Sequence, residues 1–223
     1  AELIALTGSN LVAKICNPPA YDGIGITIAI ALFNIIEKDI HPKTQMLYDE
    51  WRQLFNLAHD DVSKQQAIID RKKSLEHIFN KSFDDNDNEY KALFCIQTAY
   101  AIIVKSLAFK VISQIKYNKD LMNFNTLIDC ETDMLRQQLE YLENGAIFIQ
   151  YGITNLLEGD FFSWYINPSQ WNDELAHTIN KLYVLLGRFN DSTTINSVSK
   201  CQDFFKELYQ SMVPAAVRHS LGE

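Results

Sequence analysis

The residues of this chain with the right chemistry for metal binding or proton transfer lack the spacing that such chemistry needs. His41, His59, His77, His177 and His219 form no HExxH-type pair. Cys16, Cys95, Cys130 and Cys201 are far apart and make no CxxC unit, so zinc and redox readings are weakly supported. Cys95 sits among apolar neighbours and reads as a small buried hydrophobe. Asp60-Asp61 and Asp84-Asp85-Asn86-Asp87 lack the glycine and distal glutamate at fixed offsets that a calcium loop requires; they read as solvated helix ends or loops. Gly23-Ile24-Gly25 is too short for a dinucleotide fingerprint. Two features address nucleic acid. Arg71-Lys72-Lys73 is a candidate DNA contact through phosphate, set against a plain solvated helix face. Phe161-Phe162 and Trp164-Tyr165 have the ring chemistry to stack bases. Beside the acidic Glu158-Gly159-Asp160, and without nearby Lys or Arg, these rings read better as a packing plug between domains, with Asp160 capping the turn from Phe161.

Composition sets the frame for these residues. The 223 residues are 47% hydrophobic, enough for one large core or two small ones. Charged residues are 22%, and 8 Gly with 5 Pro favour helix over a strand-and-turn architecture. The net charge is −8 and both halves of the chain are acidic. A module that grips DNA by itself carries a positive excess, because phosphate neutralisation dominates affinity. The chain is therefore not expected to be a main DNA-gripping surface, though a local patch stays open. No stretch reads as a signal peptide. The most apolar run, Ala92–Val104, meets Lys105 before it is long enough to cross a bilayer, so a soluble cytoplasmic protein with reduced thiols and no membrane partner is expected.

Helical periodicity runs through most of the chain, and the expected fold is all-α, an irregular multi-helix bundle. Met46, Leu47, Trp51, Leu54, Phe55 and Ala58 predict an amphipathic helix over Lys43–His59, with Pro42 at its start. A second helix is predicted over Asp61–Asn80, one face carrying Val62, Ala67, Ile68, Leu75, Ile78 and Phe79, the other Lys64, Asp70, Arg71, Lys72 and Lys73. Glu89–Ser113 has no Gly or Pro and is apolar nearly all round, which predicts a long central helix. A polar loop follows Lys119. Glu131–Glu143 is helical and stops at Asn144-Gly145. Ile24–Ile36 contains a strand-like Ile-Thr-Ile-Ala-Ile, but its length and Asp22 as N-cap predict helix. Asn172–Arg188, Ser199–Met212 and a short turn from Pro214 toward Leu221 complete the set.

Three segments carry a family resemblance. Residues 208–223 read Leu-Tyr-Gln-Ser-Met-Val-Pro-Ala-Ala-Val-Arg-His-Ser-Leu-Gly-Glu. This is similar to the lead-in to the catalytic domain of bacterial adenine-N6 DNA methyltransferases, especially the large single-chain (type IIG-like) restriction-modification family. There such a segment precedes an aromatic-Thr-Pro signature that begins the S-adenosylmethionine site. Gln97–Ser113, beginning Gln-Thr-Ala-Tyr-Ala-Ile-Ile-Val-Lys-Ser-Leu-Ala, resembles the family's "HTYLALLAKLLA" helix. Leu156–Tyr165, Leu-Leu-Glu-Gly-Asp-Phe-Phe-Ser-Trp-Tyr after Asn155, resembles its "EGDFFSWY" element. The three occur in the family's order over residues 43–223; residues 1–40 match nothing in it, and no nuclease motif is visible there.

The resemblance implies a fragment that ends just upstream of its own methyltransferase domain. It implies three parts: an N-terminal helical segment of unassigned role (1–40), a connector core (41–196) and a helical lead-in (197–223). The implied function is a non-catalytic connector that positions the methyltransferase core and duplex DNA. S-adenosylmethionine belongs to the intact enzyme and no cofactor to this piece. Arg218, His219, Gly222 and Glu223 are the residues nearest that cofactor by the resemblance; for Arg218, pairing with a carboxylate of a neighbouring helix stays open. Without that domain, the segment from Val217 to Glu223 is expected to leave Arg218, His219 and Leu221 under-packed and mobile. Asn17-Pro18-Pro19-Ala20-Tyr21 approaches the Asn-Pro-Pro-aromatic loop that holds a flipped adenine, but Ala20 displaces the ring, and no Gly-rich turn precedes it; it reads as an interhelix loop. The rival reading is a stand-alone all-α interaction module unrelated to methyl transfer.

Overall fold

The computed structural model describes residues 8–17, 20, 22–59, 65–117, 131–149, 152, 154, 160–188 and 198–220. Among them the chain is all helix. The α-helices in order are α1 (Gly8–Cys16), α2 (Ile24–Lys38), α3 (Pro42–His59), α4 (Gln65–Phe79), α5 (Asn86–Tyr117), α6 (Thr132–Glu143), α7 (Ala146–Ile149), α8 (Asp173–Arg188), α9 (Val198–Met212) and α10 (Ala215–Ser220). Three 3-10 turns, Asp160–Phe162, Trp164–Ile166 and Pro168–Gln170, run between α7 and α8.

The axis of the bundle is α5, 32 residues long. Leu93, Ile96, Ile103 and Leu107 are all buried, as an all-round apolar helix requires. It packs against α2, α3, α4, α6, α9 and the first 3-10 turn; α2 in turn lies between α5 and α8. Its start is fixed by Asp85, whose carboxylate accepts the Asn88 N–H at 2.8 Å. The apolar stretch is longer than the run that stops at Lys105. Asn86–Val111 is long and apolar enough to cross a membrane by length and composition alone, and 72% of its most apolar window lies inside the bundle. Lys105 does not interrupt it, because that side chain is buried and ion-paired.

Local signals fix the other ends. Pro42 opens α3 at the position where a missing N–H costs nothing. Asn172 caps α8, accepting the Leu175 N–H at 2.8 Å. The chain leaves α6 through Asn144 and Gly145, the latter at φ 72, which glycine adopts without strain. Asp22 does not cap α2: the N-cap position is Gly23, and Asp22 instead accepts a hydrogen bond from the Asn17 side chain. Gly23 is needed for a different reason. A Cβ there would stand 2.3 Å from the Ile15 carbonyl oxygen, so glycine lets α1 and α2 approach. The Gly-Ile-Gly pair is thus a packing device.

The terminal helices are held. α1 packs on α9, where the Cys16 thiol lies 3.9 Å from the Leu208 carbonyl. α10 packs on α4, and its Val217 and Ser220 are buried. Of the residues expected to be under-packed, Arg218 is half-buried and His219 exposed, while Val217 and Ser220 of the same helix are covered. Leu221 lies outside the described residues, as do Asp60, Asp61, Pro18, Pro19, Tyr21 and the loop after Lys119.

Candidate functional site

The rings of Trp164 and Tyr165 are packed into the bundle. Trp164 is 4% exposed and Tyr165 fully buried. The Trp164 indole stacks on Phe94 of α5 at 5.9 Å and donates from Nε1 to the Thr98 hydroxyl at 3.0 Å. Thr98 in turn donates to the Phe94 carbonyl at 2.8 Å. Phe162 also meets Phe94, at 5.8 Å. The 3-10 turns thereby plug a groove formed by α3, α5 and α6. With both rings buried, base stacking by Trp164 and Tyr165 is closed off.

Tyr165 reaches a second buried polar cluster. Its hydroxyl donates to Glu143 Oε1 at 2.8 Å, and Lys105 pairs with Glu143 Oε2. Both charged side chains are almost fully buried. Burial raises the Glu143 carboxyl above its ordinary value even though Lys105 and the Tyr165 hydroxyl pull it down. The Tyr165 phenol is pushed well above its ordinary range by burial and then by Glu143. These groups lock α5, α6 and the turns together; the donors and acceptors satisfy one another.

The predicted DNA contacts divide. Arg71 is not on the surface. It is fully buried, pairs with Glu89 of α5 at 2.6 Å, and lies 5.7 Å from the Phe55 ring and 5.6 Å from the Tyr90 ring. Its spacing to Leu75 and Ile78 explains this, because residues four and seven apart share a helix face. Lys72 is half-buried and Lys73 exposed. A second charged group joins α3 to the start of α5: Asp87 takes bonds from Arg52 at 2.5 Å, Tyr48 at 2.9 Å and Lys91 at 2.8 Å. Partial burial works to raise the Asp87 carboxyl, and the hydrogen bonds from Lys91 and Tyr48, with Arg52, outweigh it and hold it below the usual range.

Near the chain end, the Arg218 Nε donates to the Val213 carbonyl at 3.1 Å and braces the break between α9 and α10. His219 is exposed. Gly222 and Glu223 lie outside the described residues. Among the described residues no group of three or more His, Cys, Asp or Glu is arranged to hold a metal.

One cleft escaped the sequence reading. It has a volume of about 430 Å³ and opens between the first turn of α3, the middle of α6 and the 3-10 turns, with Lys43, Thr44, Arg136, Glu140 and Trp164 in its walls. Lys43 and Arg136 stand far apart in sequence, on α3 and α6, and no local pattern links them. Only the folding of α6 onto the turns brings them to one cavity. Comparison of the chain with protein families, with curated proteins and with solved structures yields no match.

Proposed function

We propose that the chain is the helical connector of a site-specific adenine-N6 DNA methyltransferase of the restriction-modification type. In this reading it carries no catalytic group and holds the methyltransferase core at a fixed place relative to DNA; S-adenosylmethionine is used by the intact enzyme. One observation carries the reading beyond the resemblance itself. The three resembling segments, dispersed in sequence, converge on α5: Thr98 bonds Trp164 of the second, and Tyr100 meets Tyr209 of the third edge-on at 5.6 Å. The polar residues that the α5 segment has in common with the family's "HTYLALLAKLLA" helix, Thr98 and Lys105, both make buried bonds to other elements. A packed bundle with such joints transmits position with little compliance, as a connector must.

The rival, an interaction module unrelated to methyl transfer, draws on a different observation. Met46 and Leu57, three turns apart on one face of α3, are 59% and 86% exposed. Sequencing of the uninterrupted reading frame around this segment separates the two. The connector reading expects Tyr/Phe-Thr-Pro soon after Glu223 and an Asn-Pro-Pro-aromatic loop further on. A frame that lacks both leaves the interaction module.

A further inference from the structure

We propose that the outer face of α3 pairs with the same face of a second copy of this chain, antiparallel, about a two-fold axis that passes between residues 51 and 52. α3 carries two seams. Thr44, Tyr48, Trp51 and Phe55 are buried and face the bundle. Met46, Glu50, Gln53 and Leu57 lie on the opposite side at the alternating four- and three-residue steps of a coiled-coil seam, and all are exposed. Met46 is 59% exposed, Leu57 86%, and Leu54 beside them 54%. Of the seven large apolar side chains that are exposed among the described residues, three therefore belong to this one helix. Singly exposed apolar side chains are ordinary; several on one face of a helix mark a contact surface.

The order of residues along the outer seam says what covers it. It reads apolar, acid, amide, apolar, and it complements itself when reversed. About that axis Met46 meets the partner's Leu57, and Glu50 meets the partner's Gln53. The symmetry repeats each contact, so apolar layers close both ends of the seam and acid–amide layers fill its middle. The Glu50 carboxylate accepts from the Gln53 amide of the other copy. Polar pairs inside an apolar seam fix orientation and register at a cost in stability. A parallel pair in register would instead set Glu50 against its own copy, which like charges oppose. The dimer is weak. Its seam spans only Met46–Leu57, less than the ~1,200 Å² that stable interfaces bury, and each chain carries a net charge of −8.

Sedimentation equilibrium of residues 1–223 should show monomer and dimer in exchange between about 10 µM and 1 mM. Leu57→Glu, at an exposed position, should weaken the dimer about tenfold or more with an unchanged thermal melt. Gln53→Glu should do the same, because it gathers carboxylates from both copies at the centre. Adding Glu50→Lys to Gln53→Glu should restore the dimer by setting opposite charges across the axis. Glu50→Gln keeps an amide pair and removes the charge, so it should tighten the dimer. Orientation is read by NMR in an equimolar mixture of chains labelled at methionine methyls and chains labelled at leucine methyls, where a cross-peak between Met46 and the partner's Leu57 is expected. A chain still monomeric at about 1 mM, a dimer indifferent to both Leu57→Glu and Gln53→Glu, or a dimer without that cross-peak overturns the proposal. A connector and an interaction module can both carry this face, so the assembly test and the reading-frame test fail independently.

Discussion

Trp164 and Thr98, 66 residues apart in sequence, are joined by a buried hydrogen bond of 3.0 Å that fixes the 3-10 turns to the central helix. Thr98→Val removes the acceptor while keeping the shape, and leaves the indole N–H buried without a partner. The expected cost is about 1–3 kcal/mol in urea unfolding. Trp164→Ala opens a cavity as well and should cost about 3–5 kcal/mol. Trp164→Phe removes the donor, so Thr98→Val combined with Trp164→Phe should cost less than the two singles added. Strict additivity would mean that the bond contributes nothing to joining the elements.

Lys105 and Glu143 form the second joint. Lys105→Met strands the Glu143 carboxylate in the core and should destabilise by about 3–5 kcal/mol, whereas Lys105→Met with Glu143→Leu should recover most of the loss. The pH dependence has a defined sign. The Glu143 carboxyl is raised in the fold, so its contribution is fully present below its unfolded pKa and is lost as pH rises through the folded value. Asp87 is lowered, so its contribution is present above the unfolded pKa and lost as pH falls. Denaturant midpoints measured across the acid range should therefore rise less steeply with pH in Asp87→Asn and lose their opposing slope in Glu143→Gln.

Arg71 should behave as a core residue. Arg71→Ala leaves Glu89 buried without its partner and should lower stability by about 3–5 kcal/mol. Lys72→Ala with Lys73→Ala should fall within about 0.5 kcal/mol of the parent, as surface changes do. Thermal melts of the three variants decide it; a harmless Arg71→Ala would return that residue to the list of surface contacts.

The longer helices from α2 onward were legible because each carries a period of its own, whereas the short α1 and α7 were not read. The apolar spacing of α3 and the Gly- and Pro-free run of α5 need no tertiary information, and Pro42 and Asn144-Gly145 mark boundaries by local backbone chemistry. Arg71 was misread for want of the same argument: reading Arg71, Leu75 and Ile78 as one face would have placed it inward, but the adjacent Lys72 and Lys73 made it look like part of a basic run. The joints were not legible. Nothing local tells Thr98 that Trp164 will arrive, or Lys105 that Glu143 will neutralise it; both depend on how the 3-10 turns and α6 fold back, and short 3-10 turns have no period to read. The cleft was hidden for the same reason, since α3, α6 and the 3-10 turns form its walls only once packed together.

The thiols offer a local check on packing. Burial, with Glu207 nearby, pushes Cys16 up to about 12, and burial alone pushes Cys95 well above its ordinary value. The thiolate is the reactive form, so both should resist alkylation at pH 8 in the folded chain and react fully in denaturant. Peptide mapping after timed labelling measures each one; rapid labelling of Cys95 in the native state would contradict its place in the core.

The connector reading is tested most directly by methyl transfer. The protein translated from the uninterrupted reading frame is incubated with duplex DNA and labelled S-adenosylmethionine, beside residues 1–223 alone, and the methylated base is identified. The reading predicts N6-methyladenine from the longer protein, no methyl transfer and no calorimetric cofactor binding by the 223-residue chain, and loss of methylation in a Trp164→Ala version whose methyltransferase domain still binds cofactor. Absence of methyl transfer from the longer protein, or clear micromolar binding of S-adenosylmethionine by residues 1–223, would contradict it.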